Sequence, residues 1–185
     1  MTENVADRYR RLSSNLAQTL REVDQHRWND PSPCEDWSAL DVLRHLIETQ
    51  GMIAGLVGRE LAPGPAPGSD ALGAWISASD QIQEQLDDPV LAREQFEGST
   101  GPMTFEQAVG ELLNLDLVLH RWDIAKATDV AAEIDEYDIE WASATMHQMG
   151  DVIRSEGVFG PALEPPPGAG AQTAFLAFAG RKDWQ

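Results

Sequence analysis

TFEQAVGELLNLDLVLHRWDIAKAT, residues 104–128, is the stretch whose reading decides the fold. Thr104 with Gln107 three residues on forms a capping box, so a helix opens here and runs to about Thr128. With Phe105 at zero and a step of about 100° per residue, Val109, Leu112, Leu113 and Leu119 fall within about 80° of it. That arc defines a buried face. Asp116 falls at about 20°, His120 at about 60° and Asp123 near 0° on the same wheel. Three ionisable side chains therefore sit inside the apolar stripe. An unpaired buried carboxylate costs several kcal/mol, so these groups need partners.

A divalent cation is one such partner. Asp116 and His120 stand at i and i+4, which aims an oxygen and a nitrogen from adjacent turns at one point. A buried Asp–His hydrogen bond without metal fits the same spacing. The third donor is His45, flanked by Val42 and Leu46 at the border of an apolar helix face. It reads either as a satisfied core histidine or as a ligand facing Asp116 and His120, the way bundles assemble carboxylate–imidazole sites. Three protein ligands with one open position is the catalytic arrangement for zinc. Asp123 reads as a group holding the His120 tautomer from behind, or as an acceptor within the core. Cys34, just before a helix start where a thiolate is favoured, reads as a packing residue. His26 and His147, at helix ends or edges, read as solvated.

Outward from this segment the pattern stays helical. A first helix is expected from about Val5 to Gln25, with Leu12, Leu16, Leu20 and Val23 on one face. A second starts at Ser38, with Asp41 reaching back to the cap and Trp37 and Val42 as a hydrophobic staple, and runs to about Val57. A third spans about Asp70 to Leu86, and a fifth about Glu136 to Arg154, burying Ile139, Met146 and Ile153. Strand-like alternation is nearly absent. Pro/Gly-rich breaks fall at Pro63–Gly68, Gly98–Pro102 and Gly160–Gly170. Short connections between amphipathic helices predict an all-α bundle, one domain over 1–185, with the tail 156–185 mostly irregular.

With 31 acidic residues against 13 basic ones, the net charge of −18 repels phosphate backbones and anionic lipid, so neither nucleic acid nor membrane is an expected partner. No apolar run approaches the roughly 18–20 residues of a membrane span, and the first residues lack a signal peptide's apolar stretch. A lone Cys34 makes no internal disulfide, which points to a reducing cytoplasm. A homodimer stays open.

Two motifs carry a resemblance. Pro33-Cys34-Glu35-Asp36-Trp37-Ser38 followed by Leu43-Arg44-His45-Leu46, together with Asp116 to Ala127, resembles the N-terminal domain of mycothiol-dependent maleylpyruvate isomerase. Phe159-Gly160-Pro161 and Phe178-Ala179-Gly180-Arg181 look like the ending of its short actinobacterial branch. That family sits in the DinB/YfiT-like superfamily of metal-binding four-helix bundles. The resemblance implies such a bundle with an additional C-terminal helix and a short extended tail. It implies ligation of zinc, or of nickel, by His45, Asp116 and His120. It also implies mycothiol or a similar thiol as cosubstrate, acting with a small electrophilic substrate in a transferase or isomerase reaction. The family commonly has Glu or His where Asp116 stands. The isomerase also carries a further C-terminal domain that 185 residues do not accommodate, so maleylpyruvate isomerisation itself is not implied. Arg181 is a candidate anion-binding group. The competing expectation is a non-catalytic metal-binding bundle with a structural or sensory role.

Overall fold

The computed structural model describes residues 3–98, 101–131, 133–154 and 159–184. The chain is an all-α bundle with one small sheet. Helix α1 (Val5–Glu22) is capped by Asn4 and ends three residues short of the expected Gln25, where Gln25–Arg27 tightens into a 3₁₀ turn. Helices α2 (Ala39–Leu56) and α3 (Ala71–Asp87) follow. The one-turn α4 (Pro89–Ala92) leads into an antiparallel hairpin, β1 (Gln95–Gly98) with β2 (Gly101–Thr104). Then come α5 (Phe105–Ala108), a π turn (Val109–Leu113) and α6 (Asn114–Thr128). Helix α7 (Glu136–Met149) continues as a 3₁₀ segment to Arg154, and α8 (Ala171–Phe178) lies within the stretch read as mostly irregular.

Helix α1 packs on α3 and α6, and α2 packs on the same two, so the four long helices close a ring. Tyr9, Leu16, Leu43, Leu46, Trp75, Phe105 and Leu119 are fully buried between them. Helix α7 lies against α6 and also contacts α8, whose Phe175 and Leu176 join the core. Both capping boxes form: Ser38 accepts from the Asp41 amide and Thr104 from the Gln107 amide, with each partner side chain reaching back to the cap. Among the described residues no helix is long and apolar enough to cross a membrane.

Three expectations change. Alternation was nearly absent in the sequence, yet β1 and β2 pair, with Gln95 opposite Thr104 and Gly98 opposite Gly101. Four-residue strands give too short a run for a period of two to show. Part of the Pro/Gly-rich break at Gly98–Pro102 lies outside the described residues. The helix from Thr104 is also not one regular α-helix, because the π turn widens it to an i→i+5 pattern just before the ionisable residues. Finally, α6 has no simple apolar stripe. Every residue from Asn114 to Thr128 except Asp116, Arg121 and Lys126 is buried, because α1, α2 and α7 surround it.

A candidate metal centre on helices α2 and α6

Ser38 starts α2 two turns before His45, and the π turn sets the phase in which α6 presents Asp116 and His120. His45 Nε2 lies 3.6 Å from Asp116 Oδ2. The His45 and His120 rings meet edge to face at 5.0 Å between centroids. One ligand atom from each of His45, Asp116 and His120 lies within 4.8 Å of the others. The three residues singled out in the sequence thus come together from two helices.

Their exposures differ in a way the helical wheel did not anticipate. The His120 side chain is 9% exposed, Asp116 22% and His45 35%. Asp116 was expected at the centre of a buried stripe. The widened turn and the packing around α6 leave it instead on a cavity of about 410 Å³. His45 and His120 line the same cavity, as do Leu115 and, around them, Glu48, Met52, Glu111, Met149 and Phe159.

Behind His120 the site is buried and charged. Asp123 is completely buried, and its Oδ2 lies 2.9 Å from His120 Nδ1. That bond leaves Nε2 as the free ring nitrogen. Arg181, from the segment after α8, grips the same carboxylate with both ends of its fork: Nη2 donates to Oδ2 at 2.9 Å and Nε to Oδ1 at 3.3 Å. Gly180 makes this possible. Its φ of 80° turns the chain back after α8, and a side chain there would meet the Pro161 carbonyl at 3.2 Å. Burial pushes the Asp123 carboxyl upward, but Arg181 and His120 outweigh it and bring it down to about 2. Arg181 is therefore the counter-ion of a buried carboxylate, and no longer a free group for an anion.

Cys34 belongs to this inner layer. Its Sγ lies 3.3 Å from Asp123 Oδ2 and 4.0 Å from His120 Nδ1. Burial, with the Asp123 charge beside it, pushes the thiol up to about 12, the reverse of the thiolate that a helix start favours. Cys34, His120 and Asp123 form a second group of potential ligand atoms within 4.8 Å. The Arg181 guanidinium already supplies that group with a cation, so the outer trio suits a metal and the inner one does not.

The sequence reading missed one wall of the site. Trp37 was assigned to a helix staple, yet its ring lies 5.0 Å from that of His45 and 6.4 Å from that of His120. The hydrogen bond from Ser32 N to Trp37 O, with the Pro31–Ser38 bridge, folds the preceding loop so that Trp37 and Cys34 both face the histidines. His26 and His147 are exposed, as expected, although His147 also stacks on Phe178 at 4.8 Å.

The family model of the mycothiol maleylpyruvate isomerase N-terminal domain matches residues 9–125, from α1 through most of α6. The chain belongs to this family. The matched span contains His45, Asp116, His120 and Asp123, whereas Phe159 and Arg181 lie beyond it. Curated relatives of the chain include two uncharacterized proteins of Mycobacterium tuberculosis, Rv0738 of strain H37Rv and MT0763 of strain CDC 1551. Each is 23% identical over 150 residues, covering 80% of this chain and 81% of the relative. No solved structure matches the chain.

Proposed function

We propose that this chain is a metal-dependent enzyme of one helical domain, working in the reducing cytoplasm, that uses a low-molecular-weight thiol such as mycothiol in a transfer or isomerisation reaction on a small electrophile. The observation that carries the reading is the convergence of His45, Asp116 and His120 at a cavity of about 410 Å³, with ligand atoms within 4.8 Å of one another. The donor chemistry fits a divalent ion of the zinc or nickel type: two imidazoles and one carboxylate, with cavity space in place of a further protein ligand.

When bound, such an ion supplies Lewis acidity that lowers the pKa of a thiol. His45 and His120 would each hold it through a neutral ring nitrogen, and Asp116 through a carboxylate oxygen. Asp123 keeps the His120 proton on Nδ1, so that Nε2 carries its lone pair toward the cavity. Trp37 stands beside both imidazoles as an aromatic wall. Met52, Leu112, Leu115, Met149 and Phe159 give the cavity an apolar lining against which the carbon skeleton of an electrophile can pack.

Elemental analysis of protein purified without added metal tests the site first, and metal should also raise the melting temperature, since a ligand at 100 times its Kd stabilises the native state by about 2.7 kcal/mol. Cobalt-loaded protein then tests the chemistry. A sulfur-to-cobalt charge-transfer band should appear in the near-ultraviolet on adding a thiol, survive in Cys34→Ser and vanish in His45→Ala with the metal. A cobalt spectrum that ignores every thiol offered leaves the non-catalytic bundle as the better reading.

A further inference from the structure

The cavity carries a charge pattern that bears on what can enter it. Glu48 on α2 and Glu111 in the π turn line it alongside Asp116. Both glutamates are exposed, and neither has a salt-bridge partner among the described residues. No Lys or Arg lines the cavity among the described residues, and none of the residues outside the description is Lys or Arg. Basic side chains on the surrounding segments are already engaged: Arg44, one turn before Glu48, pairs with Asp41, and Arg121 donates to the Glu133 carbonyl. Arg181 is buried against Asp123, and Arg154 donates to the carbonyls of Gly160 and Phe178.

Resting on the metal–thiol reading above, we infer that the cavity selects uncharged or cationic thiols and electrophiles and rejects anionic ones, dicarboxylates above all. A divalent ion with Asp116 and an entering thiolate is near neutral, so Glu48 and Glu111 set the sign of the field that the rest of the ligand meets. An ammonium or other cationic group on the ligand finds two unpaired carboxylates at the mouth, and its apolar part finds Met52, Leu112, Leu115, Met149 and Phe159. A carboxylate on the ligand meets like charge and no counter-ion. The maleylpyruvate of the family name is a dicarboxylate, so this cavity points to a different substrate class from the one that name describes.

The test compares cysteamine, 2-mercaptoethanol and 3-mercaptopropionate as probes of charge +1, 0 and −1 on the cobalt-loaded protein. Apparent Kd values come from the charge-transfer band, in the wild type and in Glu48→Gln/Glu111→Gln. Taking each probe's ratio between variant and wild type cancels the thiols' own acidities. The variant should weaken cysteamine roughly 5-fold or more, tighten 3-mercaptopropionate by a similar factor and leave 2-mercaptoethanol within about 2-fold. Glu84→Gln/Glu97→Gln makes the same change in net charge away from the cavity and should move none of them. A variant that treats all three probes alike, or a control pair with the same effect, overturns the inference while leaving the thiol reading intact. If no probe gives a band, the thiol reading fails by itself. Relaxation of the His45 and His120 ring protons by amino- and carboxy-nitroxides in metal-free protein then decides the charge selection. The amino probe should dominate, and the difference should shrink in Glu48→Gln/Glu111→Gln; equal relaxation by both probes overturns the inference.

Discussion

Arg181 donates from Nη2 to Asp123 Oδ2 at 2.9 Å, joining a residue near the end of the chain to one in the middle of α6 across 58 positions of sequence. Asp123 in turn holds His120 Nδ1. The C-terminal segment therefore reaches the candidate metal centre through one buried carboxylate.

Arg181→Met should strand that carboxylate. Breaking a buried ion pair by removing one partner costs about 3–5 kcal/mol. Urea unfolding of metal-free protein should show a loss in that range. The double variant Arg181→Met/Asp123→Asn should recover a good part of it, because the stranded charge is then gone. Equal losses in the single and double variants would show that Arg181 acts instead through its guanidinium stacked over the Phe159 ring, 5.6 Å from the centroid.

Acid stability should carry the mark of Asp123. Its folded pKa of about 2 lies below the ordinary carboxylate value of about 3.9. The group therefore contributes stability that is complete above about pH 5 and lost as pH falls toward 2, a total of about 2–3 kcal/mol. In chelator-treated protein, Asp123→Asn should flatten the fall of unfolding free energy with pH in that window. An unchanged acid arm would place the pH dependence elsewhere, with the Glu3 carboxylate held down by Arg11 and Arg8 as the next group to substitute.

Cys34 should be a slow thiol. With its pKa pushed up to about 12, only about one molecule in ten thousand is thiolate at pH 8. A disulfide reagent such as dithionitrobenzoate should label native protein at least about 100-fold more slowly than the urea-unfolded chain, where the thiol returns to about 8.5. Fast native labelling at neutral pH would contradict the half-buried, Asp123-facing position of the sulfur.

His120→Ala and Asp116→Ala should each abolish tight metal binding and leave a helical protein by circular dichroism. A fully buried Asp116 would make Asp116→Asn stabilising without metal. At 22% exposure the change should instead stay within about 0.5 kcal/mol, as for partly exposed sites away from buried networks. Unchanged metal content in both alanine variants, by elemental analysis, would move the site away from these residues.

The five long helical segments and the candidate donors were legible in the sequence because each depends on local rules, whereas α4 and α8 were not read. Capping boxes at Ser38 and Thr104 involve residues three apart, and Asp116 and His120 share a helix at a spacing that any α-helix brings together. Their meeting with His45 followed from the resemblance to a metal-binding family and from the apolar faces that pack α2 on α6.

Tertiary structure alone decided the rest. The π turn at Val109–Leu113 follows from no capping or periodicity rule, although Gly110 within it lies so close to Val5 that a side chain there would meet it at 3.1 Å. Whether Asp116 faced protein or open space depended on that phase and on the helices around α6. The Arg181–Asp123 pair, the approach of Cys34 to Asp123 and the Trp37 wall join segments far apart in sequence, through a turn at Gly180 and a loop closed by Ser32 and Trp37. Periodicity reports which side of an element is buried, whereas the partner of a buried charge is set by long-range packing, where desolvation makes one pairing favourable and its absence costly.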